Sequence, residues 1–131
     1  MKLLLDTHIW LWSLLEPERL SDNVLQTLRN PKTELYLSPI SIWELTILAS
    51  KGRVVLNSEV DDWVTEALFR VPITQTPLTI QAALEANRLN LPHRDPADRF
   101  IVATAIAFGL TLATADTRIL DAKLCNLLPN A

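Results

Sequence analysis

Residues 95–116, DPADRFIVATAIAFGLTLATAD, contain a helix start, a long apolar run and a short apolar run that ends at an acid. Asp95 is the predicted N-cap, because its side chain can accept a hydrogen bond from a first-turn N–H. Pro96 suits the first helical position, and Gly109 is the predicted end of the helix. Residues 111–114 then have the pattern of a buried strand. A helix followed at once by such a strand is one unit of a parallel α/β sheet.

The same alternation of short apolar strands and helices continues through the rest of the chain. KLLL at Lys2–Leu5 and the apolar residues 35–37 are predicted strands, with shorter candidates at 71–73 and 124–128. Helices are predicted between them, at 8–15, 21–29, 38–51, 60–69 and 79–89. We therefore predict an α/β fold in one domain over residues 1–131. It is expected to have a central, mostly parallel β-sheet flanked by helices on both faces.

Composition excludes several classes of protein. The chain has 131 residues, of which 49% are hydrophobic, and a net charge of −3. A broadly basic nucleic-acid-binding surface is therefore excluded, and any such role must depend on a local site. The single cysteine, Cys125, cannot form an internal disulfide and suits a reducing compartment. The longest apolar stretch, residues 100–115, is too short to span a bilayer. The expected location is the cytoplasm.

Four acids are predicted to converge at one edge of the sheet. Asp6 and Asp116 lie at or just past the ends of predicted strands. Glu44 lies in the first two turns of the helix after the second strand, and Asp98 lies in the first turn of the 96–108 helix. Because ligands of parallel sheets bind beyond the carboxyl ends of the strands, these side chains are expected to surround one site.

Carboxylates at close range repel each other unless they take up protons or bind a cation. Mg²⁺ prefers oxygen ligands and is usually held by one or two protein carboxylates. The acid set lacks histidine and cysteine, which disfavours zinc. The sequence thus predicts metal-assisted hydrolysis of a phosphodiester, with Asp6 and Asp98 as metal ligands and Asp6, Glu44, Asp98 and Asp116 as the catalytic set.

Each of these acids also has an ordinary structural interpretation. Asp6 and Asp116 can be turn residues after their strands. Glu44 can be the capping-box partner of Ser41, and Asp98 can interact with the helix dipole. Asp95 is predicted to be a cap rather than a ligand. The isolated histidines, His8 and His93, are predicted to be surface or loop residues.

The order of four motifs supports the functional interpretation. LLLDTH, SISIWEL, DPADRFIVATA and TLATAD, taken in sequence, resemble the PIN-domain ribonucleases. The resemblance is closest to the toxin subunits of VapBC-type bacterial toxin–antitoxin pairs, and it extends from Leu3 to about Leu128. By position, the acidic quartet of that family falls on Asp6, Glu44, Asp98 and Asp116. Thr7 and Thr114 match family positions that line the same pocket.

The resemblance implies an endoribonuclease that uses Mg²⁺ or Mn²⁺, acts on single-stranded or structured RNA, forms a homodimer and is inhibited by a small antitoxin. Two alternatives remain: a non-catalytic PIN-like module that binds RNA or protein, and a haloacid-dehalogenase-like phosphatase. The phosphatase would need a second Asp where this chain has His8. Seven cations could form a basic rim for RNA or could be scattered surface charges: Lys51, Arg53, Arg70, Arg88, Arg94, Arg99 and Arg118. Trp10, Trp12 and Trp43 are predicted to be core residues or to line an apolar groove or dimer face near the first helix.

Overall fold

The KLLL segment forms the central strand of a five-stranded sheet in the computed structural model, which describes residues 1–92 and 95–131. The strands are β1 (Lys2–Leu5), β2 (Glu34–Leu37), β3 (Thr74–Gln75), β4 (Thr111–Thr114) and β5 (Leu127–Pro129). They lie in the order β3-β2-β1-β4-β5, and every neighbouring pair is parallel. The predicted α/β class and parallel sheet are confirmed.

Helices connect the strands and begin at polar caps. They are α1 (Thr7–Leu15), α2 (Asp22–Arg29), α3 (Pro39–Ser50), α4 (Val60–Arg70), α5 (Ile80–Arg88), α6 (Pro96–Phe108) and α7 (Thr117–Ala122), with a short 3₁₀ turn at Pro17–Arg19. Asp95 caps α6 through a 3.0 Å bond from the Ala97 N–H, and Gly109 ends it with a φ of 63°. The predicted punctuation of this helix is therefore confirmed. No helix within residues 1–92 and 95–131 is both long and apolar enough to cross a membrane.

Helices cover both faces of the sheet. Successive residues of β1 point to opposite sides, so its leucines contribute to both cores. Leu3 and Leu5 belong to a core with residues of α1, α2, α3 and α4. Leu4 belongs to a second core with residues of α5 and α6. All three leucines are at most 2% exposed. This explains why the strand is an unbroken apolar run rather than an alternating one.

The structure differs from the sequence prediction at the third strand and at a helix near the end of the chain. Residues 71–73 are not a strand: the Val71 N–H bonds to Ala67 and ends α4, and Pro72 has no N–H to donate. The strand begins at Thr74 instead. Helix α7 was missed, because six residues are too few for a clear apolar period.

Candidate active site

All four predicted acids line one cavity at the carboxyl edge of the sheet. The cavity has a volume of about 410 Å³. Asp6 directly follows β1, and Asp116 follows β4 by two residues. Glu44 lies on α3, which begins after β2, and Asp98 lies in the first turn of α6. The remaining lining residues are His8, Trp12, Asp95, Ala115 and Arg118. The topology therefore brings four distant segments to one place.

Asp6 is the most buried acid of the site, with 7% of its surface exposed. One of its oxygens accepts a 2.8 Å bond from the Thr7 N–H, which makes Asp6 the N-cap of α1. The other accepts a 2.7 Å bond from the Thr114 hydroxyl on β4. Burial raises the pKa of Asp6, and the bonds from Thr114 and Thr7 oppose that rise. These two bonds fix the carboxylate in place while leaving lone pairs on its oxygens for a further ligand.

Glu44 is held by the hydroxyl of Thr7, the residue whose N–H binds Asp6. The Thr7 hydroxyl donates to the Glu44 carboxylate and is hydrogen-bonded to the Ser41 hydroxyl at 2.9 Å. The capping-box interpretation of Ser41 and Glu44 is wrong, because Ser38 is the N-cap of α3 and Ser41 is already inside the helix. Burial is the largest cause that raises the pKa of Glu44, followed in the same direction by the charge of Asp6.

Asp98 is partly buried and lies close to the other acids of the site. Burial, and then the charges of Asp6, Asp95, Glu44 and Asp116, raise its pKa to about 8. One carboxylate oxygen from each of Glu44, Asp95 and Asp98 lies within 4.8 Å of the others. Asp98 thus lies near four other acids. Its position in the first turn of a helix does not by itself explain this clustering.

Asp95 has two roles in this geometry, and sequence reasoning found only one of them. It caps α6, as predicted, but its carboxylate also lies in the cluster with Glu44 and Asp98. A signal was present in the sequence, since positions three apart in DPAD lie on the same side of a helix. The sequence pattern could not show that α3 brings Glu44 to that side.

Asp116 serves as the N-cap of α7 and faces the same cavity. Its carboxylate accepts bonds from the Arg118 N–H at 2.9 Å and the Ile119 N–H at 3.4 Å. The guanidinium of Arg118 lies 3.8 Å from the same oxygen. The interpretation of Asp116 as a turn residue is therefore correct in part. Asp116 both caps α7 and lines the cavity.

The basic rim is smaller than the sequence suggested. Arg118 is the only Lys or Arg side chain that lines the cavity among residues 1–92 and 95–131. Arg99 points elsewhere, and its guanidinium donates to the backbone carbonyls of Ala86, Leu89 and Leu91 at 2.8–3.1 Å. Arg70 and Arg88 pair with acids on their own helices. His93 and Arg94 lie outside the described residues.

The donor set suits a hard divalent cation. The five acids offer only carboxylate oxygens, which Mg²⁺ and Mn²⁺ accept. After burial, the charges of Asp6, Asp95, Glu44 and Asp116 all raise the pKa of Asp98, so the acids disfavour one another's ionised form. A bound cation would relieve that repulsion, so the residues present fit a metal site.

The tryptophans divide between core and surface. Trp10 is 4% exposed and makes an edge-on contact with Trp63, at 5.8 Å between ring centroids. Trp43 is 55% exposed and lines a groove of about 440 Å³ on α3, together with Leu37, Pro39, Ile42, Leu68 and Ile73 among others. One apolar groove with a tryptophan of the predicted set is therefore on α3. A second, lined by Trp10, Leu14 and Leu25 among others, lies beside α1, where the sequence predicted it. Another depression, at the end of α1, is lined by Leu14, Leu15 and Trp63.

A parallel sheet with acids at its carboxyl edge agrees with the family found by comparison. The PIN domain family matches residues 3–123, and the chain belongs to that family. It is 36% identical over 116 residues to Ribonuclease VapC22 of Mycobacterium tuberculosis, an alignment that covers 88% of each chain. Membership of the PIN family removes the haloacid-dehalogenase-like alternative.

Solved structures support the same fold. VapBC2 from Rickettsia felis, bound to a DNA fragment from its promoter, superposes with a TM-score of 0.73 at 17% identity over 98% of both chains. DNA-bound VapBC from Salmonella typhimurium gives 0.69 at 16% identity, over 100% of this chain and 99% of the other. FitAcB from Neisseria gonorrhoeae gives 0.64 at 24% identity, over 98% and 97%. At these identities the likeness concerns the fold.

Proposed function

We propose that this protein is a metal-dependent endoribonuclease and the toxin of a toxin–antitoxin pair, formed by one domain over residues 1–131. The observation that carries the proposal is the convergence of Asp6, Glu44, Asp98 and Asp116 on one cavity. The name of its relative, Ribonuclease VapC22, supports RNA as the substrate. A site that only bound RNA would gain nothing from clustered acids, because they repel phosphate.

Asp6 and Asp98 are the proposed metal ligands, with Glu44 and Asp116 completing the catalytic set. A bound Mg²⁺ or Mn²⁺ would supply Lewis-acid activation of water and neutralise charge on the scissile phosphate. Thr114 and Thr7 hold the Asp6 carboxylate in one orientation, and Thr7 also holds Glu44. This fixed arrangement lets the site meet its ligand without first ordering its own side chains.

Cleavage of RNA in the presence and absence of metal tests this function. The purified protein is expected to cut RNA with Mg²⁺ or Mn²⁺, to stop when EDTA is added, and to resume when excess metal is restored. Asp6→Asn, purified in parallel, is the control for a contaminating nuclease and should remain inactive throughout. Equal cleavage in chelator, or by Asp6→Asn, would show that the acids are not the active site. Mg²⁺ binding without cleavage would favour the binding-module alternative.

We also propose that the groove beside Trp43 binds the antitoxin. A more-than-half-exposed tryptophan in a mostly apolar groove is the kind of surface that accepts the apolar face of a partner helix. The parent is expected to be a homodimer in sedimentation. It is expected to lose its RNA cleavage when its antitoxin is added. Trp43→Asp should restore cleavage in the presence of that antitoxin. Phe69→Asp is the control, because Phe69 is 85% exposed and does not line the groove. Undiminished inhibition of Trp43→Asp would place the antitoxin elsewhere.

A further inference from the structure

The wall of the cavity beside the acids is aromatic and cationic. His8 and Trp12 lie four residues apart on α1, so both are on one side of that helix. Their ring centroids are 5.8 Å apart, with the planes tilted by 53°. The guanidinium of Arg19 lies over the Trp12 ring, 4.3 Å from its centroid. Arg118 lines the same cavity from the first turn of α7.

Core packing explains only part of this wall. Trp12 is half-buried and packs partly against the core beneath β1. His8 is exposed, although it lies only two residues from the buried Asp6. An exposed imidazole beside a half-buried indole, at the rim of a cavity, adds nothing to the core. It does offer flat aromatic surface to whatever enters the cavity.

A nucleic acid that reaches the acids must be held by something other than general charge. The net charge of the chain is −3, and the acids themselves repel phosphate. Arg118 is the single Lys or Arg that lines the cavity in the described part of the chain. Stacking of a base on an aromatic ring does not depend on net charge and is worth about 1–3 kcal/mol per base, which is roughly a 5- to 150-fold change in affinity.

We propose that His8 and Trp12 form a subsite that stacks one unpaired base of the substrate, with Arg118 contacting an adjacent phosphate. This inference rests on the proposed function and specifies its substrate as a single strand. In a duplex the base faces are covered by their neighbours, so a paired base cannot reach the rings. The subsite therefore selects unpaired nucleotides next to the bond that is cut. Arg19 keeps the Trp12 ring in place through its cation–π contact.

Binding of a labelled single-stranded RNA, measured by fluorescence anisotropy with Ca²⁺ in place of Mg²⁺, tests the subsite without requiring cleavage. His8→Ala should weaken binding about tenfold, and His8→Phe, which keeps a flat ring, should bind nearly as the parent does. Trp12→Leu should also weaken binding, and Trp12→Phe should restore most of it. Phe69→Leu is the matched control, because it removes an exposed aromatic ring outside the cavity. Thermal melting of each variant shows that it is folded.

The outcomes separate this inference from the nuclease activity. Parent-like binding by both His8→Ala and Trp12→Leu would overturn the subsite, as would a duplex that binds as tightly as the single strand. If the parent cuts RNA and these variants bind normally, the nuclease stands and the subsite is wrong. If the variants lose binding but the parent does not cut, the subsite stands and the nuclease is wrong. A parent that binds no RNA overturns both.

Discussion

Asp98→Asn is expected to abolish RNA cleavage while leaving the metal-free protein at least as stable as the parent. The substitution replaces a carboxyl group whose ionised form is disfavoured by burial and by the charges of Asp6, Asp95, Glu44 and Asp116. It forgoes a helix-dipole interaction of about 0.3–1 kcal/mol, which the relief of repulsion opposes. Cleavage should fall by about 100-fold or more, since even residues that only orient a metal ligand are worth about 10- to 100-fold.

Asp95→Asn is the comparison that separates helix capping from metal binding. Asn caps a helix about as well as Asp, so the variant should melt close to the parent. Its cleavage should exceed that of Asp98→Asn, because Asp95 is the cap of α6 and lies outside the predicted quartet. Melting curves of both variants, with and without Mg²⁺, beside a cleavage assay, make the comparison. An Asp98→Asn variant that melts markedly lower yet cuts normally would show that Asp98 only stabilises the first turn of α6.

Mg²⁺ is expected to stabilise the parent by an amount that grows as the pH rises. The pKa of Asp98 is about 8 in the folded protein against 3.8 when unperturbed. Between those values the folded state holds more protons than the unfolded state, so the metal-free protein loses stability as pH rises from about 4 to about 8. Metal binds deprotonated carboxylates and displaces these protons. At 100 times its Kd, Mg²⁺ adds about 2.7 kcal/mol, or roughly 10 °C in Tm.

Melting temperatures across that pH range, with Mg²⁺ and with EDTA, measure the effect. Asp98→Asn should flatten the pH dependence in EDTA and remove most of the Mg²⁺ stabilisation. Asp61→Asn is a matched control, because Asp61 is an exposed acid in the first turn of α4 and does not line the cavity. It should keep both the pH dependence and the response to Mg²⁺. A metal-free parent that becomes more stable as the pH rises would contradict the raised pKa of Asp98.

Much of the fold follows from local signals in the sequence. KLLL predicts the central strand because its three consecutive leucines are typical of a strand buried on both faces. The two ends of α6 are marked by Asp95, Pro96 and Gly109. Only a few residue types cap a helix start or readily adopt the left-handed φ of a helix end. Where such signals were weak, the prediction failed. Strand β3 has two residues, both exposed, and exists only because β2 offers it a partner.

The edge of the sheet that carries the acids can also be predicted from the sequence, since parallel strands place their carboxyl ends together. Which side chains meet there, and what holds them, depends on how the helices pack. Thr7 connects Asp6 to Glu44, 38 positions further along the chain, because α1 and α3 pack against each other. Asp95 joins Glu44 because α3 also packs against α6. His8 and Trp12, on α1, form part of the wall of the same cavity. A sequence pattern shows which side of a helix is apolar. Which other helix packs against that side depends on the free energy of the whole core.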